Sequence, residues 1–133
     1  MTKPRTKKRP KEQYIITQEL LQNRFAEYNK LYFHGKLEMP TFRIQRRTYG
    51  GIFGAFRHNE DGTPRITIND AKKIGWDDEM LKSVLIHEML HYYMDRFWIL
   101  KIDNGLHLFF WQALRIYKNL KYGLNVKTND PRG

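Results

Sequence analysis

The stretch SVLIHEMLHYYMDRF, residues 83–97, sets two histidines four apart with a glutamate directly after the first, among Val84, Leu85, Ile86, Met89 and Leu90. On a helix, positions i and i+4 share a face with Cβ atoms about 5–6 Å apart. The imidazoles of His87 and His91 then converge on one ion at roughly 2.0–2.1 Å from each nitrogen. Glu88 is turned about 100° from His87, out of the metal's own shell but within reach of a water bound there, which is the place of a general base. The plainer alternative is a helix with a half-buried histidine pair. Two histidines and a glutamate on a core-facing helix are costly to bury without a task, so the metal reading is favoured.

Composition narrows the ligands. The chain has no cysteine among its 133 residues, which removes disulfides, thiol catalysis, cysteine zinc ribbons and iron–sulfur clusters. Any metal must be held by His, Asp or Glu. One domain's worth of chain with 41% hydrophobic residues buries a core without covalent staples. The basic start is not followed by an apolar segment and no run of about 18 apolar residues occurs, so a soluble, cytoplasmic protein without membrane contact is expected.

Turn and cap signals divide the rest. Thr17 caps a helix in which Leu21, Phe25, Tyr28 and Tyr32 recur at helical spacing up to Gly35. TFRIQR alternates as a strand with one wet face. GGIFGAFRH and RITIN are further strands, joined through NEDGTP as a hairpin. Asp77 caps the helix that carries the histidines, with Asp78 and Glu79 in its first turn. Leu106 to Tyr122 form a last helix stopped at Gly123. The order predicts an α+β class with a small, mostly antiparallel sheet, a basic arm at 1–13, one domain at 14–124 and a flexible tail at 125–133.

A catalytic zinc takes three protein ligands and keeps one position open. No glycine stands three residues after His91, position 97 is Phe, and no glutamate follows Glu88 anywhere in the chain. The remaining donors are Asp95, Asp103, Asp130 and His107. Asp95 is one further turn along the same helix and is assigned an outer role; Asp130 lies in the tail. His107 shares a helical face with Phe110, Trp111 and Leu114 and is favoured, with Asp103 in reserve. His34 and His58 are read as surface or turn residues, and Tyr49, Tyr92 and Tyr93 as packing residues rather than oxyanion donors.

Together these residues resemble the SprT-like metallopeptidase domain, the family of the Spartan DNA–protein crosslink proteases. The likeness extends over FAEYNKLYFHGKLEMPTFRI, RRTYGGIF, RITIN, HEMLH and GLHLFFWQAL, from about Thr17 to Tyr122. It implies a zincin-like fold, one zinc held by His87, His91 and His107, and Glu88 as catalytic base. It also implies a protein substrate added as a strand to a sheet edge, for which RITIN is the candidate, and a role in DNA–protein crosslink repair. This chain departs from the family in GLHLFF, where small or polar neighbours of the histidine are more common, and in having no cysteine ribbon after the domain.

The formal charge of +10 predicts attraction to nucleic acid. Half of it sits in MTKPRTKKRPKE, where Lys3, Arg5, Lys7, Lys8, Arg9 and Lys11 face one glutamate. Arg43 and Arg47 on the first strand, and Arg115, Lys118 and Lys121 on the last helix, are the other candidate phosphate contacts. A zinc-dependent endopeptidase acting on DNA-associated proteins, as a monomer, is the leading expectation. The competing one is an accessory or anti-defence protein that binds nucleic acid and keeps the zincin fold and its zinc without protease activity.

Overall fold

The computed structural model describes residues 14–46, 53–97 and 104–127, with the backbone alone for 104–108. Arg47 and Tyr49, the basic residues from Lys3 to Lys11, Asp103 and Asp130 lie outside the described residues.

Helix α1 spans Gln18–Tyr32. The Thr17 hydroxyl accepts from the Leu20 amide at 3.1 Å, occupying one donor that the first turn leaves open. His34 and Gly35 both have positive φ and turn the chain out of the helix. Asn29 then brackets the exit: its Oδ1 accepts from the Leu37 amide at 3.1 Å and its Nδ2 donates to the Leu37 carbonyl at 2.7 Å.

Three strands follow, β1 Thr41–Gln45, β2 Gly54–His58 and β3 Pro64–Asn69. Their spatial order is β1-β3-β2. β1 runs parallel to β3, with Phe42 opposite Ile66 and Ile44 opposite Ile68. β2 and β3 form the expected hairpin, antiparallel, with Phe56 opposite Ile66 and Gly54 opposite Ile68. The sheet is therefore mixed, one ladder of each kind, rather than mostly antiparallel. RITIN is its central strand, paired on both sides, and has no open edge for a substrate, which corrects the sequence expectation; among the described residues β2 and β1 are the edges.

Directly opposed residues share a face, so Phe42, Ile44, Gly54, Phe56, Ile66 and Ile68 face one way. Helices α1 and α2 (Asp78–Phe97) cover that face. Phe25 of α1 meets Phe42 edge-on at 5.9 Å between ring centres, and Tyr92 of α2 stacks on Phe56 at 5.3 Å. A short 3-10 turn, Lys72–Ile74, leads into α2, whose first amides are capped by Asp77, with Met80 N donating to its Oδ1 at 2.8 Å. Helix α3, Asn104–Tyr122, packs on α2 through Trp111, buried to 1% exposure. At roughly 1.5–3 kcal/mol per buried large apolar side chain, the fully buried Leu81, Leu85, Ile86, Met89 and Leu90 of α2 make this helix the axis of the core.

Candidate metal and catalytic site

The apolar stripe of α2 carries its polar residues inward with it. His87 is 3% exposed and Glu88 is fully buried, although isolated charges are the groups that burial penalises most. The ring centres of His87 and His91 are 5.0 Å apart. Two imidazoles bound through one nitrogen each to a tetrahedral ion, with nitrogen–metal distances of about 2.0–2.1 Å, have ring centres about 5 Å apart, and the separation of this pair matches that spacing. Hard, oxygen-preferring ions are a poorer match to two imidazoles.

The surroundings hold the pair in place. Trp111 stacks on His91 at 4.8 Å with 12° between the planes, and meets His87 edge-on at 4.7 Å. The Lys127 carbonyl lies 3.0 Å from His87 Nδ1. On the sheet side, Gly54 of β2 comes so close that a Cβ built on it would be 3.0 Å from Val84 Cγ1 and 3.5 Å from Glu88 Cγ. The edge strand thus rests on the helix turn that bears the glutamate. A groove of about 950 Å³ opens along the first half of α2, with Phe53, Met80, Val84, Leu124 and Val126 among its walls.

His107 falls in the first turn of α3, one helical turn before Trp111; its side chain lies outside the described residues. Among the described residues no three His, Cys, Asp or Glu side chains form a metal-holding group. The Asp95 carboxylate, one turn beyond His91 on α2, faces His58 Nε2 at 2.9 Å on the surface, joining the end of β2 to the last turns of α2. His58, read as a surface or turn residue, is exposed and has Asp95 as its partner. The Tyr92 hydroxyl donates to the Glu38 carbonyl at 2.9 Å, and burial pushes its pKa up; it is a packing residue, as expected. Tyr93 packs between Phe33 and Phe97.

Two of the candidate phosphate contacts on α3 are otherwise engaged. Lys118 is 6% exposed, donates from Nζ to the Tyr32 carbonyl at 2.6 Å and lies 4.9 Å from the centre of the Phe33 ring. Burial, with the Lys121 charge added, lowers its pKa. It caps the C-terminus of α1 with positive charge and is not available to a phosphate. Arg115 Nη1 donates to the Val126 carbonyl at 3.2 Å and its Nε to Gln112 Oε1 at 3.1 Å. Lys121 and Arg43 are exposed. Gly54 and the Lys127 carbonyl were not singled out from sequence, and Trp111 was named only as a neighbour of His107 on its helical face, not as a residue stacking on His91. Trp111 had a signal in its spacing of four from His107; the other two had none.

A model of the SprT-like family matches residues 21–129, from the first turn of α1 past the end of α3. The chain belongs to the SprT-like family. No curated protein and no solved structure matches it significantly. The family match supports a metallopeptidase-like domain, and it covers His87, Glu88, His91 and His107 together. Among the described residues no helix is long and apolar enough to cross a membrane.

Proposed function

We propose that this SprT-like domain is a zinc-dependent endopeptidase with a zincin-like fold, in which His87, His91 and His107 hold the metal and Glu88 is the general base. The observation that carries this is the juxtaposition on α2 of two imidazoles 5.0 Å apart with a fully buried carboxylate in the same turn. When bound, zinc would supply Lewis-acid chemistry, polarising the scissile carbonyl and lowering the pKa of the attacking water. Glu88 takes the proton from that water and, held in a water-poor setting, returns it to the leaving amine. Trp111 fixes the His91 ring plane by stacking, so the pair is oriented before any ligand arrives.

The substrate chain would add as a strand to β2, since among the described residues no strand pairs with its outer edge. Main-chain pairing gives such a site affinity without sequence selectivity. Because Gly54 of β2 rests against the Val84–Glu88 turn, a chain laid along this edge runs beside the base, with the groove along α2 receiving its side chains. The +10 charge supports an action on proteins bound to DNA, with Arg43 and Lys121, exposed among the described residues, as the candidate contacts named above that stay open to it.

Purified protein is expected to carry about one zinc per chain. Glu88→Gln should retain the metal and lose cleavage of a basic, unstructured protein, assayed with and without single-stranded DNA. Cleavage that persists in Glu88→Gln would refute the mechanism. Salt-sensitive DNA binding with no cleavage by the wild type would instead favour the non-proteolytic accessory protein.

A further inference from the structure

Gly123, at φ 66°, ends α3. The Leu124 amide donates back to the Asn119 carbonyl at 3.1 Å, the closing bond of a Schellman turn, and residues 124–127 then run against α2. Asn119 grips this segment at both polar groups of Val126: its Oδ1 accepts from the Val126 amide at 3.0 Å and its Nδ2 donates to the Val126 carbonyl at 3.2 Å. Arg115 Nη1 donates to the same carbonyl at 3.2 Å, and the Ser83 hydroxyl of α2 donates to the Asn125 carbonyl at 3.4 Å. The Val126 side chain is 3% exposed and belongs to the core. Residues 125–127, expected to be part of a flexible tail, are thus fastened to the domain. The next carbonyl along, that of Lys127, is the one 3.0 Å from His87 Nδ1.

A carbonyl oxygen only accepts hydrogen bonds, so the imidazole nitrogen that meets it carries the hydrogen. In a neutral ring the lone pair is then on Nε2. We infer that residues 124–127 form a strap that sets the tautomer and ring orientation of His87, and that Asn119 and Arg115 are positioning residues for the metal site although neither belongs to the HEMLH segment. The inference rests on His87 being a metal ligand. Its own content is that the metal affinity of the site depends on the polypeptide after α3. Removing the outer hydrogen-bond partner of a metal-ligating histidine typically weakens binding about 10- to 100-fold.

The test compares the wild type with Asn119→Ala, which deletes both side-chain bonds to Val126 and leaves α3 its best helix former. Long-range ¹H–¹⁵N imidazole spectra of the metal-free, full-length proteins should show His87 protonated at Nδ1 in the wild type and mixed between tautomers in the variant. Zinc affinity, measured by chelator competition, should fall about tenfold or more in Asn119→Ala. Thermal unfolding of both metal-free proteins shows whether the variant is folded where the affinities are compared. A wild-type His87 protonated at Nε2 overturns the inference without need of any variant. So does equal zinc affinity with an unchanged tautomer in Asn119→Ala, an outcome that leaves the metal reading standing. A wild type with His87 protonated at Nδ1 and no zinc binding defeats the metal reading while the strap remains.

Discussion

Gly54→Ala tests how closely the edge strand must approach the active helix. Gly54 is not among the glycines with positive φ, so alanine adopts its backbone without strain. Through the unfolded chain alone the change should stabilise by about 0.4–1 kcal/mol. The added Cβ, however, would lie 3.0 Å from Val84 Cγ1 and 3.3 Å from the Thr67 carbonyl oxygen, against about 3.5–4.0 Å for an optimal carbon–carbon contact. Neither neighbour yields readily. A helical valine has one strongly preferred χ1, and the Thr67 oxygen belongs to the central strand.

Overpacking of this kind costs about 1–3 kcal/mol, and the middle of that range, set against the middle of the entropic gain, leaves a net loss of about 1 kcal/mol. Val84→Ala removes the obstructing methyl at its own expense of about 2 kcal/mol, from two buried methyl groups at about 0.8 kcal/mol each plus a small cavity. Because Val84→Ala makes room for the Cβ that Gly54→Ala adds, the double variant should be less destabilised than the sum by about 1 kcal/mol. Urea unfolding with an unchanged m value measures all three. A Gly54→Ala cost below about 0.5 kcal/mol, or additivity within about 0.3 kcal/mol, would show that strand and helix are not packed as described.

Lys118→Met should destabilise the domain at neutral pH by about 1–3 kcal/mol, the cost of leaving a buried carbonyl, here that of Tyr32, without its charged donor. Because burial lowers the folded-state pKa of Lys118, wild-type stability from this group rises as pH climbs from that pKa towards the ordinary lysine value. The deficit of the variant should therefore widen on that alkaline approach, and a deficit that narrows would refute the assignment. Tyr14 is pushed up to about 12 by burial and by its hydrogen bond to Asp78, so its contribution to stability is complete below about pH 10 and is lost as pH rises through its folded value; spectrophotometric titration should find that late-titrating tyrosine missing from Tyr14→Phe. The same hydrogen bond, with that from Arg24, lowers the Asp78 pKa, whose contribution is lost on acidification instead. For the third ligand, His107→Ala should reduce zinc content far more than Asp103→Ala, and the reverse result would reassign it.

Local chemistry was enough to read the caps and ends of the helices. Thr17, Asp77 and Gly123 act within a few residues of themselves, and the four-residue spacing of His87 and His91 needs only a helix to place both on one face. The β2–β3 hairpin was legible for the same reason, since its turn residues adjoin its strands. What spacing could not supply was anything closed over a long stretch of chain. The parallel β1–β3 ladder joins residues 24 apart in sequence, which made β3 central and left β1 and β2 as the outer strands among the described residues. Lys118 lies at the same helical spacing as Arg115 and Lys121, and only the packing of α3 on the end of α1 turns it from a surface cation into a buried cap. Val126 looks like one apolar residue in a polar tail until Asn119 and the core receive it. Sequence by itself determined which atoms are available for chemistry; tertiary structure decided which carbonyl, ring and strand each one faces, because burial and hydrogen-bond closure depend on partners that the chain meets only after folding.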